Sequence, residues 1–243
     1  FARKEKLSEE EAARQVRYEF LSKVSLRYKA NKIALGHTED DQLETILMRL
    51  IRGTGQEGLK GIPPVRILNL KPRIEIVRPL IETSRSEIES YLARHNLKAR
   101  LDSSNLKPIY LRNKIRLELL PLLRKYNPRI KEVLLSTVRI LREEEEYLQE
   151  NTEKVFNRVI KEKKKGRIGL KLKDFSNYPR ALQRRVLREA IRFIQGDLQG
   201  FTFQHYENIL KLTKESPSGS QIDLPHNLIV QKDYGQLNIF KKK

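Results

Sequence analysis

Apolar residues recur with two different spacings along this chain, and the changes between them mark its elements. Residues 33–35 form a short apolar run that ends at Gly36-His37, which predicts a strand. From about Asp40 to Leu50 the spacing is helical, and Gly53, Gly55, Gly58 and Gly61 then mark a loop. Upstream, Ser8 followed by three acids reads as a helix start, with Glu11 closing a capping box. That helix should run to about Tyr28, with Ala13, Val16, Phe20, Leu21 and Val24 as its buried stripe. Residues 73–79 alternate like a further strand, and Thr83-Ser84 opens another helix. Strands alternating with helices predict an α/β domain built on a parallel sheet, closed by the polar turn at 101–105.

From Tyr110 the pattern turns helical. Residues 111–126 form an amphipathic helix that Pro121 should interrupt. A long helix follows, with Leu134, Val138, Leu141, Leu148, Val155 and Val159 as its stripe and residues 143–146 as a solvated acidic face. Residues 161–165, followed by Gly166, read as a basic linker. Beyond it lie a short strand, a helix from 179 to about 194 with Leu182, Val186, Leu187, Ile191 and Ile194 facing inward, a second helix from about 202 to 212, and strands that fold back at Asp233-Tyr234-Gly235. The expected organisation is an α/β part over 1–105, a helical subdomain over 106–165 and a small α+β domain over 166–243.

The formal net charge is +19, and basic residues exceed acidic ones in each of these three parts. A one-sided excess along the whole chain favours a long polyanionic partner, most simply a nucleic acid, over a heat-adapted Lys/Glu surface. The 243 residues contain no cysteine, which excludes disulfides, thiolate metal sites, iron–sulfur clusters and persulfide chemistry. No apolar stretch approaches the roughly 20 residues that a bilayer requires, so the expectation is a cytoplasmic chain without a membrane partner.

Candidate chemistry gathers where the first strand hands over to its helix. Ligands of open parallel sheets sit beyond the carboxyl ends of the strands, and His37, Asp40 and Asp41 lie at such an end. Two carboxylates and an imidazole there can hold a metal or orient a reacting group. Equally, Thr38 and Asp41 have capping-box spacing, and acids in a first helical turn are favoured by the helix dipole alone. The glycine loop has neither the Walker order nor the GxGxxG context; as a flexible loop it could close over a substrate. Arg112 and Arg116 share one side of their helix, and Arg180, Arg184, Arg188 and Arg192 recur every four residues. Both sets suit phosphate binding or plain solvation.

Taken together, AARQVRYEFL, GHTEDDQLETILMRLIRGTGQEGLKGI, VRPLIETSRSEI, LDSSN and YLRNKIR resemble the tRNA(Ile)-lysidine synthetase family, strongly over about residues 7–120 and more loosely beyond. The resemblance implies part of an ATP-pyrophosphatase-type α/β domain, a helical extension and a C-terminal tRNA-binding domain. It implies ATP and Mg²⁺ as cofactors, and as partners free L-lysine and an isoleucine tRNA with a wobble cytidine; a homodimer is left open. The reaction would adenylate the C2 carbonyl oxygen of that cytidine, and the ε-amine of lysine would then displace AMP to give lysidine. On matching positions, Asp41 would bind Mg²⁺ or orient the adenylation site beside His37, with Asp40 in support. Arg17 would contact ATP phosphates or the adenylated base, and Arg112, supported by Asn113 and Arg116, would reach the same pocket. Arg180, Arg184, Arg188 and Arg192 would bind tRNA backbone, from their place in the chain alone.

The family's Ser-Gly-Gly-x-Asp-Ser nucleotide loop does not occur in these 243 residues. The expectation is that an N-terminal segment of the same enzyme carries it. The alternative is a non-catalytic tRNA-binding fragment that completes a partner chain. Thiolating relatives generally need cysteine, which lysidine formation does not.

Overall fold

A computed structural model of the chain describes residues 9–68, 73–100 and 110–242. Ser8, with the capping box expected there, and the turn at 101–105 lie outside the described residues. The chain divides into two compact units, Phe1–Glu143 and Glu144–Lys243. Among the described residues no helix is long and apolar enough to cross a membrane.

The first unit is α/β. Its elements are α1 (Glu9–Arg27), β1 (Lys32–Ala34), α2 (Glu39–Arg52), α3 (Gln56–Leu59), β2 (Val65–Leu68), β3 (Ile74–Val77), α4 (Arg85–Arg94), α5 (Leu111–Lys114) and α6 (Leu120–Tyr126), followed by α7 (Ile130–Val159), which runs on into the second unit. The sheet order is β1-β3-β2. Ile33 of β1 sits opposite Ile76 of β3 in parallel, as the alternation of elements predicts. β2, which the sequence pattern does not announce, joins β3 antiparallel, so the sheet is mixed and not purely parallel. Its VRIL stretch follows Pro63-Pro64 and is largely exposed, so it lacks the alternation that betrays a half-buried strand.

Ile33, Ile74 and Ile76 form the sheet's apolar centre, against which Tyr18 and Leu21 of α1 pack. Much of the expected stripe of α1 faces outward instead: Ala13 is exposed, as are Val16 at 50% and Phe20 at 63%. Three short strands cover only a narrow strip of a 19-residue helix, so its remaining apolar side chains stay on the surface.

Pro121 does not interrupt its helix. A π-helical turn over Ile115–Leu119 links α5 to α6, and the Leu120 N–H donates to the Ile115 carbonyl, five residues back. Pro121 therefore enters as one of the first residues of α6, where a missing N–H costs nothing in the ladder.

The second unit contains β4 (Ile160–Lys164), β5 (Arg167–Lys171), α8 (Leu172–Ser176), α9 (Arg180–Gln195), α10 (Phe203–Glu215), β6 (Gln221–Leu224), β7 (Leu228–Asp233) and β8 (Gln236–Lys241). All neighbours in its sheet, ordered β4-β5-β8-β7-β6, are antiparallel. The basic run expected as a linker is β4, one arm of a hairpin whose turn uses Gly166 at φ 76°. Phe175, Leu187, Ile191, Ile209 and Leu237 are fully enclosed between helices and sheet. Glu145, read as part of a solvated face, is buried at 4% exposure and accepts hydrogen bonds from both terminal nitrogens of Arg185.

Candidate active site

The site is built on the first turns of α2. After β1 the Leu35 N–H still pairs with the Val77 carbonyl, and the chain turns at Gly36 and His37 into Thr38, which is extended and caps α2. One oxygen of Asp41 accepts the Thr38 N–H at 2.7 Å and faces its hydroxyl at 3.2 Å. This is the capping geometry that the spacing predicts. The other oxygen accepts from Arg112 Nη2 at 2.6 Å, so one carboxylate both starts the helix and anchors a distant arginine.

One turn further along α2, Glu44 is fully buried, at 0% exposure. Its two oxygens accept from Arg112 Nε and Arg116 Nε, each at 2.6 Å. Asp41 and Glu44 are three residues apart on α2, and Arg112 and Arg116 four apart on the facing helix, so each pair shares a face and the two faces interlock. The hydrogen bond to Glu44 holds the Arg116 pKa above its ordinary value, outweighing the burial that would lower it. Asn113, between the two arginines, is buried. Glu39 and Asp40 reach Lys131 of α7 at 3.0 and 3.1 Å. Burial alone would lower the Lys131 pKa; hydrogen bonds to Glu39 and Asp40 outweigh it and hold the pKa above the ordinary lysine value. Every acid of these first turns thus has an assigned cation.

Beside this cluster lies an open cleft of about 630 Å³, in which Asp40, Asp41 and Glu44 face Arg85, Arg116, Arg124 and Lys131. A cleft carrying both signs of charge complements a ligand that does the same. His37 stands half-buried immediately before Thr38. Arg17 is exposed on α1, and no hydrogen bond or ion pair joins it to the cluster.

The glycine loop behind α2 is not the free flap its composition predicts. Gln42 bonds both the N–H and the carbonyl of Ile62, each at 2.7 Å. Arg49 takes the carbonyls of Gly58 and Gly61, Arg142 those of Lys60 and Ile62, and Arg78 that of Pro63. Gly61 is required here: its φ is +69°, and an added Cβ would come within 2.3 Å of the Gln42 side-chain oxygen.

Among the described residues the acids at the start of α2 offer a magnesium ion no uncommitted carboxylate. Asp41 and Asp40 are already committed to guanidinium and ammonium partners, and among the described residues no group of three His, Cys, Asp or Glu side chains could hold a metal.

In the second unit, Arg180, Arg184, Arg188 and Arg192 do lie along one helix, α9. Arg180 and Arg184 share the Glu207 carboxylate of α10, and Arg192 pairs with Glu189. Sequence reasoning missed Glu44, Lys131 and Gln42. The signal for Glu44 was the matched pair of spacings, three residues on α2 and four on the facing helix; Lys131 carried none.

A family description, "PP-loop domain", matches residues 2–123. Over 233 residues the chain is 39% identical to the tRNA(Ile)-lysidine synthase of Clostridioides difficile, covering 96% of this chain and 49% of the relative. It is 40% identical over 240 residues to that of Clostridium tetani (98% and 50%) and 38% identical over 243 residues to that of Caldanaerobacter subterraneus (100% and 50%). The chain spans about half the length of these curated relatives. The family match covers the helix and strand that lead into the cleft, the cluster of Asp41, Glu44, Arg112 and Arg116, and the glycine loop, and this chain belongs to the PP-loop domain family.

Proposed function

We propose that this chain is part of a tRNA(Ile)-lysidine synthase, using ATP to join lysine to the wobble cytidine of an isoleucine tRNA. The observation that carries the reading is the cleft of mixed charge at the amino end of α2, set in a chain that is 38–40% identical to relatives of that name. L-lysine brings two ammonium groups and a carboxylate, and ATP brings phosphates; Arg85, Arg116, Arg124 and Lys131 would meet the anionic groups, and an ammonium group would reach Asp40 or Asp41 by displacing Lys131 or Arg112.

In the first step the cytidine C2 oxygen attacks the α-phosphorus and pyrophosphate leaves. In the second, the neutral ε-amine of lysine bonds to C2, loses a proton, and AMP departs with the oxygen. His37 is the imidazole at this strand end that would take that proton. Asp41 and Glu44 would act as positioning residues, since both hold Arg112, the guanidinium that would steady the developing negative charge. A magnesium ion would arrive on the phosphates; binding to Asp41 would require Arg112 to give way. The Ser-Gly-Gly-x-Asp-Ser loop would come from an N-terminal segment of the enzyme.

The test is pyrophosphate release from ATP with lysine and unmodified isoleucine tRNA, with this chain alone and joined to a segment carrying that loop. Release by the joined form, falling about 100-fold or more in Arg112→Ala, is the expected result. Binding of tRNA with no release in either form would point to the non-catalytic fragment instead.

A further inference from the structure

At the start of α10 a large aromatic side chain stands in solvent among arginines. Phe203 is 64% exposed, and the Arg184 guanidinium lies 5.4 Å from its ring centroid. Arg184 and Arg180 each give one N–H to a different oxygen of Glu207, whose side chain is only 15% exposed. Glu207 thus fixes two guanidiniums side by side next to the ring. A guanidinium has five N–H donors, so each arginine keeps donors beyond this pair. Ion pairs whose arginines stand in solvent contribute little to stability, so stability alone does not account for the arrangement. The first turn of α10 also carries no acid: where a capping box would place Glu, His205 accepts the Thr202 N–H through Nδ1 at 2.9 Å. The positive end of the helix is left without a neutralising carboxylate in that turn.

We propose that this surface takes an unpaired nucleotide of RNA, with the base stacked on Phe203 and the adjoining phosphate on Arg180 and Arg184. An exposed π-face beside fixed cations is the arrangement that binds single-stranded nucleic acid irrespective of sequence. In a chain of net charge +19 the occupant it complements is polyanionic. Glu207 is a positioning residue that holds the two guanidiniums in place. The inference rests on the tRNA reading given above and assigns it a contact that the four-residue arginine repeat does not include.

The experiment is binding of unmodified isoleucine tRNA to the full chain across a salt series, with a fully paired RNA duplex as the comparison probe. Phe203→Ala should weaken tRNA binding about 10-fold with an unchanged salt slope, should leave duplex binding unchanged, and Phe203→Tyr should restore the affinity. Arg184→Gln should weaken both probes and reduce the salt slope by about one ion. Tight tRNA binding that Phe203→Ala leaves within twofold would overturn the stacking surface while the tRNA reading stands. Equal loss on both probes would also overturn it, and no tRNA binding by the unaltered chain would overturn both.

Discussion

In the second unit one continuous cluster of buried side chains, including Phe175, Leu187, Ile209, Leu228 and Leu237, fills the space between helices and sheet. In the first unit the apolar interior is divided. Ile33, Ile74 and Ile76 lie under α1, and Leu43, Leu47, Ile115 and Leu120 lie between α2 and the helix that faces it. Around these small clusters the chain is held by directional bonds: Glu44 between two arginines, and Gln42, Arg49, Arg78 and Arg142 on the carbonyls of the glycine loop. Apolar burial is non-directional and gives stability in proportion to area. Buried ion pairs add little net stability, because desolvation offsets their attraction. What they fix is position, which a site for group transfer needs more than stability.

The contrast can be tested most strongly in the apolar unit. Phe175 is 1% exposed, and Phe175→Ala should lower its unfolding free energy by about 3–5 kcal/mol, read by chemical denaturation. Glu44→Gln should cost less, about 2 kcal/mol, because Arg112 and Arg116 retain 28% and 29% side-chain exposure and can recover water. Its effect on pyrophosphate release by the joined enzyme should exceed its effect on stability, since Arg112 loses an anchor. A stability loss as large as that of Phe175→Ala with normal release would show that Glu44 serves the fold and not the site. Smaller again is Gln42→Ala, about 1–2 kcal/mol, which strips both bonds from Ile62. Amide hydrogen exchange should rise at Ile62 while the core of residues 144–243 stays protected; unchanged exchange at Ile62 would mean the arginines hold the loop unaided.

The second unit was the more legible in sequence, and for the same reason. Its elements are amphipathic with a regular period, so the inward face of α9 through Val186, Leu187 and Ile191 and the fold-back at 233–235 follow from spacing. In the first unit β1, α2, β3 and α4 were visible as elements, but the side-chain partnerships were not. Arg112 meets Glu44 across 68 residues and Lys131 meets Asp40 across 91, and periodicity carries no information about pairing at that distance. The outward turn of Val16 and Phe20 was hidden because an apolar stripe on a helix does not state how much sheet there is to cover it. Of Asp41 the capping geometry was legible from spacing, whereas its ion pair with Arg112, made by the other oxygen of the carboxylate across 71 residues, was not.

The smallest expected effects are titrations at opposite ends of the pH range. Glu87 closes the cap of α4: the Ser84 hydroxyl and N–H both donate to its carboxylate and hold its pKa below the ordinary 4.5. A depressed folded pKa gives stability that is present above the unfolded value and is lost as pH falls through the folded one. The α4 cap should therefore loosen only in acid, below about pH 4.5, as a small local loss of helix on this exposed element. Glu87→Gln should abolish that pH dependence. Lys131 behaves oppositely: its raised folded pKa gives stability that is complete below the ordinary 10.5 and is lost as pH rises through the folded value. Its loss should be felt at the cleft, because Glu39 and Asp40 then face each other without their shared cation. Amide chemical shifts of the first turn of α4 and of Lys131, followed across both ranges, separate these cases. A cap that held in acid and loosened only as the pH rose through the Lys131 range would overturn both assignments.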